Sequence, residues 1–194
     1  MSVRKRILAG TSLALAVACG GSNAPTYNLT GTATSTGTVG GQSMANPADA
    51  VSTLIPQGSS AAGTILISTS ANLCAQSNAH TRLKSARSLA IVMGIQSGNS
   101  VAPPTVGTYT VYTQAGANTA QGNIATALFA VSDAACNASA SQSTGGTMTL
   151  TRVDATGYTG TYNITFNTSD TLSGTFNTGS CSALVGSAST TCPP

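Results

Sequence analysis

GTMTLTRVDATGYTGTYNITFNTSDTLSGTFNTGSC, residues 146–181, is the stretch whose alternation sets the fold class. Thr147 to Val153 runs into the turn residues Asp154-Ala155-Thr156-Gly157. Tyr158 to Asn167 then puts Tyr162, Ile164 and Phe166 on one face and Asn163 and Thr165 on the other, because successive strand side chains point to opposite faces. Thr168-Ser169-Asp170 turns the chain again, and Leu172, Gly174 and Phe176 share a face. Three alternating runs joined by two turns make an antiparallel meander.

Working outward from the meander, shorter runs repeat the pattern. Thr64 to Thr69 is β-branched, and Ser88 to Gln96 is the most apolar segment beyond the N-terminus, which reads as a central strand. Gly107 to Thr113 alternates, and Ile124 to Val131 is apolar and alanine-rich, with a helix as the rival reading. Ser132 to Gly145 reads as a polar loop carrying Cys136. Tyr27 to Thr38 reads as a first strand, followed by a turn at Gly40-Gly41 and a helical turn over Pro47 to Leu54. The expectation is a single all-β domain over residues 27–194, an antiparallel β-sandwich or partly closed β-barrel of about 7–9 strands.

The N-terminus has a different build. Arg4, Lys5 and Arg6 precede an apolar run from Ile7 to Ala18, the pattern of a secretory signal. Twelve helical residues rise about 18 Å, short of a hydrocarbon core of about 30 Å. The run Leu15-Ala16-Val17-Ala18-Cys19 before Gly20-Gly21-Ser22 resembles the lipobox of bacterial lipoproteins, with Ala16 where that family usually has leucine. The resemblance implies cleavage after residue 18, a diacylglycerol on Cys19, a tether over residues 19–26 and sorting to the outer membrane, facing the periplasm or the cell surface. Without lipidation, the same signal delivers a periplasmic or secreted protein.

Setting the signal aside changes the charge. Of 7 basic residues, Arg82, Lys84, Arg87 and Arg152 remain, balanced by Asp49, Asp133, Asp154 and Asp170. The formal charge of +3 therefore belongs to the export signal, and nothing argues for nucleic acid as a partner. Lipidated Cys19 also leaves an even set, Cys74, Cys136, Cys181 and Cys192, that suits two disulfides in an oxidising compartment. Of the three pairings, closeness in sequence favours Cys181 with Cys192, and hence Cys74 with Cys136. There is no C-x-x-C and only one histidine, so no metal site is expected.

The beginning of the mature chain also resembles a loose group of uncharacterised bacterial lipoproteins in Gly37-Thr-Val-Gly-Gly41 and Ala48-Asp49-Ala50; the lone mid-chain Cys74 and Ser173-Gly-Thr-Phe176 before Cys181 add to the likeness. That resemblance implies the β fold and carries no known activity.

Chemistry concentrates in one place. His80, Arg82, Lys84 and Arg87 lie within eight positions, and an extended Ala79 to Ser85 would put residues 80, 82 and 84 on one face. That face could take an anion such as a lipid headgroup, lipopolysaccharide or acidic glycan; the plainer reading is a solvated or charge-protected edge. His80 as a catalytic base lacks a G-x-S-x-G elbow to supply a nucleophile. The four aspartates are scattered and two sit in turns, which suits backbone hydrogen bonding better than paired acid–base work or a calcium cage. With no tryptophan, Tyr27, Tyr109, Tyr112, Tyr158 and Tyr162 read as core or strand-face residues before a sugar-stacking platform. No pattern calls for a cofactor. The expectation is a lipid-anchored envelope protein without catalytic residues, acting by structure or by binding an envelope protein, glycan or anionic lipid. A carbohydrate- or anionic-lipid-binding module on His80 to Arg87 comes second, and a hydrolase using His80 third.

Overall fold

A computed structural model describes residues 30–57, 60–184 and 191–193; the signal, Cys19, the tether and Tyr27 lie outside them. In chain order the strands are β1 (Thr32–Val39), β2 (Gln42–Ser43), β3 (Asp49–Gln57), β4 (Ser60–Ser68), β5 (Arg87–Ser97) and β6 (Ser100–Ala102). They continue with β7 (Gly107–Val111), β8 (Gly122–Ser132), β9 (Ala138–Asp154), β10 (Gly157–Phe166), β11 (Thr171–Asn177) and β12 (Gly179–Ser180). Two short helices, α1 (Leu73–Asn78) and α2 (Gln114–Ala117), interrupt them. The all-β expectation holds, and the 12-stranded sheet exceeds seven to nine because β2, β6 and β12 are two- or three-residue pairings.

The sheet runs β12-β3-β4-β5-β8-β7-β9-β10-β11-β1-β2, with β6 beside β5. Strands β11 and β12 stand far apart in that order yet are separated in sequence by Thr178 alone, so the sheet curls back on itself as a half-barrel. At this corner the Thr178 amide donates to the Tyr158 carbonyl at 2.8 Å, and its hydroxyl accepts from the Tyr158 amide at 2.7 Å. The same hydroxyl lies 2.7 Å from Ser52 Oγ on β3. Strand β7 wedges between β8 and β9 at one end, while β8 and β9 pair directly from Leu128↔Gln142 to Ser132↔Ala138 at the other.

The meander is as the alternation predicts: Tyr162, Ile164, Phe166, Leu172 and Phe176 all turn inward. They join Ile65, Ile67, Leu89, Ile91, Phe129, Met148 and Leu150 in one core, where Phe129 and Phe166 meet edge-on with centroids 6.1 Å apart. Gly146 sits at φ 116° where a Cβ would collide with the Asn163 carbonyl, so only glycine lets β9 lie this close to β10. Three of the tyrosines are core residues. Burial, with Tyr109 nearby, pushes the Tyr158 hydroxyl up to about 12, and burial likewise raises Tyr162. Tyr109 is anchored by the Thr105 backbone at 2.7 Å.

Two local expectations are corrected and one choice is decided. Pro47 to Leu54 forms no helical turn, because β3 starts at Asp49 and pairs along its length with β4. Ile124 to Val131 is the strand expected and not the rival helix, held between β5 and its neighbours. The loop expected over Ser132 to Gly145 shrinks to residues 133–137, since β9 starts at Ala138 and pairs with β8 despite its polar sequence.

A second, smaller cluster lies outside the barrel. Val51 and Leu66 are register partners on β3 and β4 and point away from the main core. Leu73 and Cys74 of α1, together with Leu83, Cys181, Ala183 and Leu184, cover them. The sheet thus carries its main core inside and one patch of apolar cover outside.

Candidate functional site

The basic segment follows α1. The helix starts at Asn72, which is left-handed (φ 57°) and provides no side-chain cap. Its first amide is capped from another strand instead: Asp49 Oδ2 accepts from Leu73 N at 2.9 Å. Asp49 Oδ1 accepts from Gly31 N at 3.1 Å and Ala50 N at 2.8 Å. This aspartate is 1% exposed, and its three backbone bonds fasten the start of β1, β3 and α1 together. Nothing in the local sequence around Asp49 shows that the fold buries it.

His80 ends the helical stretch in a left-handed conformation (φ 53°) and is exposed. The run Ala79 to Ser85 is therefore not a strand placing 80, 82 and 84 on one face, which corrects the alternation argument. Thr81 instead bridges Thr191 in parallel, and Arg82 N donates to the Thr191 carbonyl at 2.8 Å. Arg82 is exposed, while Lys84 is half-buried with Nζ 3.2 Å from the Pro193 carbonyl. Arg87 opens β5 and directs Nε and Nη2 to Gln42 Oε1 at 3.3 and 3.0 Å. The structure therefore brings His80, Arg82 and Lys84 to one strip beside residues 191–193 and assigns Arg87 to a contact with the β1–β2 hairpin.

The cysteines are paired differently from the expectation. Cys74 bonds Cys181, and Cys136 bonds Cys192. Nearness in sequence misleads here because β12 pairs with β3 and delivers Cys181 to the buried side of α1, which lies over β3 and β4. The strip 80–84 lies between the loop carrying Cys136 and residues 191–193, so the second bond fastens that strand-like tail across it.

The remaining carboxylates fasten turns. Asp133 accepts from the side chain and backbone of Asn137 and from Ala135 N, which holds its carboxyl below the usual range. Asp154 accepts from the hydroxyl and amide of Thr156, with Arg152 Nη1 at 3.4 Å, and is lowered in the same way, Thr156 first. Asp170 Oδ2 accepts from Gly40 N at 2.6 Å. Among the described residues no three His, Cys, Asp or Glu side chains group to hold a metal ion.

Alternation on β1, β7, β9, β10 and β11 produces a second candidate that single-strand reasoning did not combine. The inward residues form the core, and the outward ones are mostly threonine. Register aligns Thr108, Thr149, Thr161, Thr175 and Thr34 in one row across five strands. The next row holds Thr110, Thr147, Asn163, Ser173 and Thr36. Beside the register shift at Thr159/Gly160 the face dips into an open depression of about 350 Å³, lined by Thr32, Thr34, Thr159, Thr161, Thr175 and Asn177 among others. The T-x-T spacing was legible in the sequence, but the shared register of five strands was not. No protein-family model, curated protein or solved structure matches the chain.

Proposed function

We propose that the chain is a lipid-anchored protein of the bacterial outer membrane, held by diacylglycerol on Cys19, whose β domain acts by structure or binding and not by catalysis. One observation carries the non-catalytic reading: each of Asp49, Asp133, Asp154 and Asp170 is engaged by backbone amides at a turn or strand junction. A carboxylate so engaged is a fastening, whereas acid–base chemistry needs one aimed at a reacting atom. The single histidine, His80, stands exposed after α1 and does not line the depression on the sheet's outer face. The anchor rests on the sequence around Cys19. Mass spectrometry of the mature N-terminus, with membrane fractionation of the protein and of Cys19→Ala, tests it. A diacylated Cys19 and release of the variant into the soluble fraction are expected; an unmodified N-terminus would overturn the anchor.

A second reading, an anionic lipid headgroup or acidic glycan on the basic strip, is favoured by the exposure of His80 and Arg82 beside Lys84. Changing Arg82, Lys84 and Arg87 together to Gln should abolish binding to anionic liposomes or lipopolysaccharide; unchanged affinity sinks it.

A further inference from the structure

We propose that the outer face of β7, β9, β10, β11 and β1 binds a neutral polysaccharide chain, with the row Thr108, Thr149, Thr161, Thr175 and Thr34 as its track. The proposal rests on the non-catalytic binding role above and names a ligand class for it. The ligand follows from what the face offers. Each threonine presents a hydroxyl beside a methyl, and a sugar presents hydroxyls beside C–H groups. The two rows contain no charged side chain, so neither a cation nor an anion finds a partner on them. The nearest cation, Arg152, is turned to Thr159, Thr156 and Asn177 at 2.9–3.0 Å, along the rim.

The hydroxyls are already oriented. Thr34 Oγ1 lies 2.9 Å from Thr175 Oγ1, Thr108 Oγ1 lies 3.1 Å from Thr149 Oγ1, and Thr36 Oγ1 lies 3.0 Å from Ser173 Oγ. A hydroxyl has one donor and two acceptor sites, so the Thr34–Thr175 and Thr108–Thr149 pairs still offer a donor and acceptors to a ligand even though Thr34 Oγ1 also accepts from Thr175 N at 3.1 Å, while Thr36 Oγ1 is also within 3.3 Å of the Ser173 carbonyl. Side chains held in one rotamer lose little freedom on binding. The depression beside Thr161 and Asn177, about 350 Å³, is in the range of small-ligand pockets and suits one sugar ring lodged more deeply than its neighbours.

Shape selects a chain over a flat surface. Neighbouring strands lie about 4.8 Å apart, so five of them span about 19 Å, room for several sugar units. Sheets twist by about 20–25° per strand, and across five strands the row turns through about 80–100°. A flexible polymer can follow that turn, whereas a crystalline face such as ice or cellulose would touch only part of it.

The test is affinity electrophoresis of the detergent-solubilised protein in native gels containing dextran, β-1,3-glucan or galactomannan, with anionic alginate as control. The expected result is retardation by at least one neutral polymer. The variant carrying Thr149→Val, Thr161→Val and Thr175→Val, which keeps the branched shape and removes the hydroxyls, should weaken it about tenfold or more. The Arg82→Gln, Lys84→Gln, Arg87→Gln variant should be retarded as the parent is. If the triple valine variant does not fold, judged by its circular dichroism, Thr161→Lys alone places a charge mid-row and serves instead. The proposal is overturned by no retardation in any neutral gel, or by retardation unchanged in the threonine variants. Retardation by alginate alone, lost in the basic-strip variant, would overturn it in favour of the anion reading. Inhibition of ice recrystallisation that needs the threonines, without retardation in any gel, would assign the array to ordering water. None of these outcomes bears on the lipid anchor, which mass spectrometry decides separately.

Discussion

The outer surface of this sheet has two halves. On β3 and β4 the outward residues Val51 and Leu66 are apolar, and the chain covers them with α1, the turn at Ser182–Leu184 and the Cys74–Cys181 bond. On β1, β7, β9, β10 and β11 the outward residues are mostly threonine, asparagine and serine, with Arg152 at the edge, and no described element lies over them. The difference shows how a strand's second face dictates architecture. An apolar second face costs about 25 cal/mol per Å² if left in water, so it recruits a helix and a cross-link. A threonine face keeps β propensity, is already hydrated and recruits nothing, which leaves it available to a ligand.

The largest effect should come from the covered half. Replacing Cys74 and Cys181 together by Ala removes a bond between residues 107 apart in sequence and loosens the cover on Val51 and Leu66. A loss of about 3–5 kcal/mol is expected in urea unfolding, with increased binding of an apolar dye. An unchanged midpoint would mean that the cover does not depend on its cross-link. Asp49→Asn should rank next. It replaces one of the carboxylate oxygens facing Leu73 N, Gly31 N and Ala50 N with an amide N–H, so a donor meets a donor. The expected cost is about 2–3 kcal/mol. A loss under about 0.5 kcal/mol would mean that α1 is held by packing alone. The smallest effect belongs to the bare half: Thr161→Val should change stability by no more than about 0.5 kcal/mol, measured by thermal melting. A loss well above that would make the threonine rows a structural network and end the contrast.

The meander was legible because Tyr162, Ile164, Phe166, Leu172 and Phe176 sit at period two between turn residues, and each side of the pattern has one destination. Ile124 to Val131 was ambiguous for the opposite reason: Ala125, Ala127 and Phe129 are buried inside, while Ala130 and Leu128 lie apolar outside, so polarity barely alternates. The polar start of β9 read as loop because Ser139, Ala140, Ser141 and Gln142 are defined as strand by pairing with β8 and not by burial. Cysteine pairing was beyond reach, since it depends on where β12 docks. The basic face failed on backbone conformation at both ends of the run: His80 and Ser85 take positive φ, and Ala79 closes α1 at ψ 1°. Asp49 was visible as a residue and invisible as a junction, because its three donors come from Gly31, Ala50 and Leu73.

The Thr178 corner also governs when the molecule can finish folding. During synthesis β1 and β3 emerge early, but the long partner of β1 is β11 and, among the described residues, the strand on the outer edge of β3 is β12. Both partners lie within residues 171–180, so β4 to β10 can assemble while two strand edges stay open. The half-barrel is complete only once residues 171–181 supply β11, β12 and Cys181.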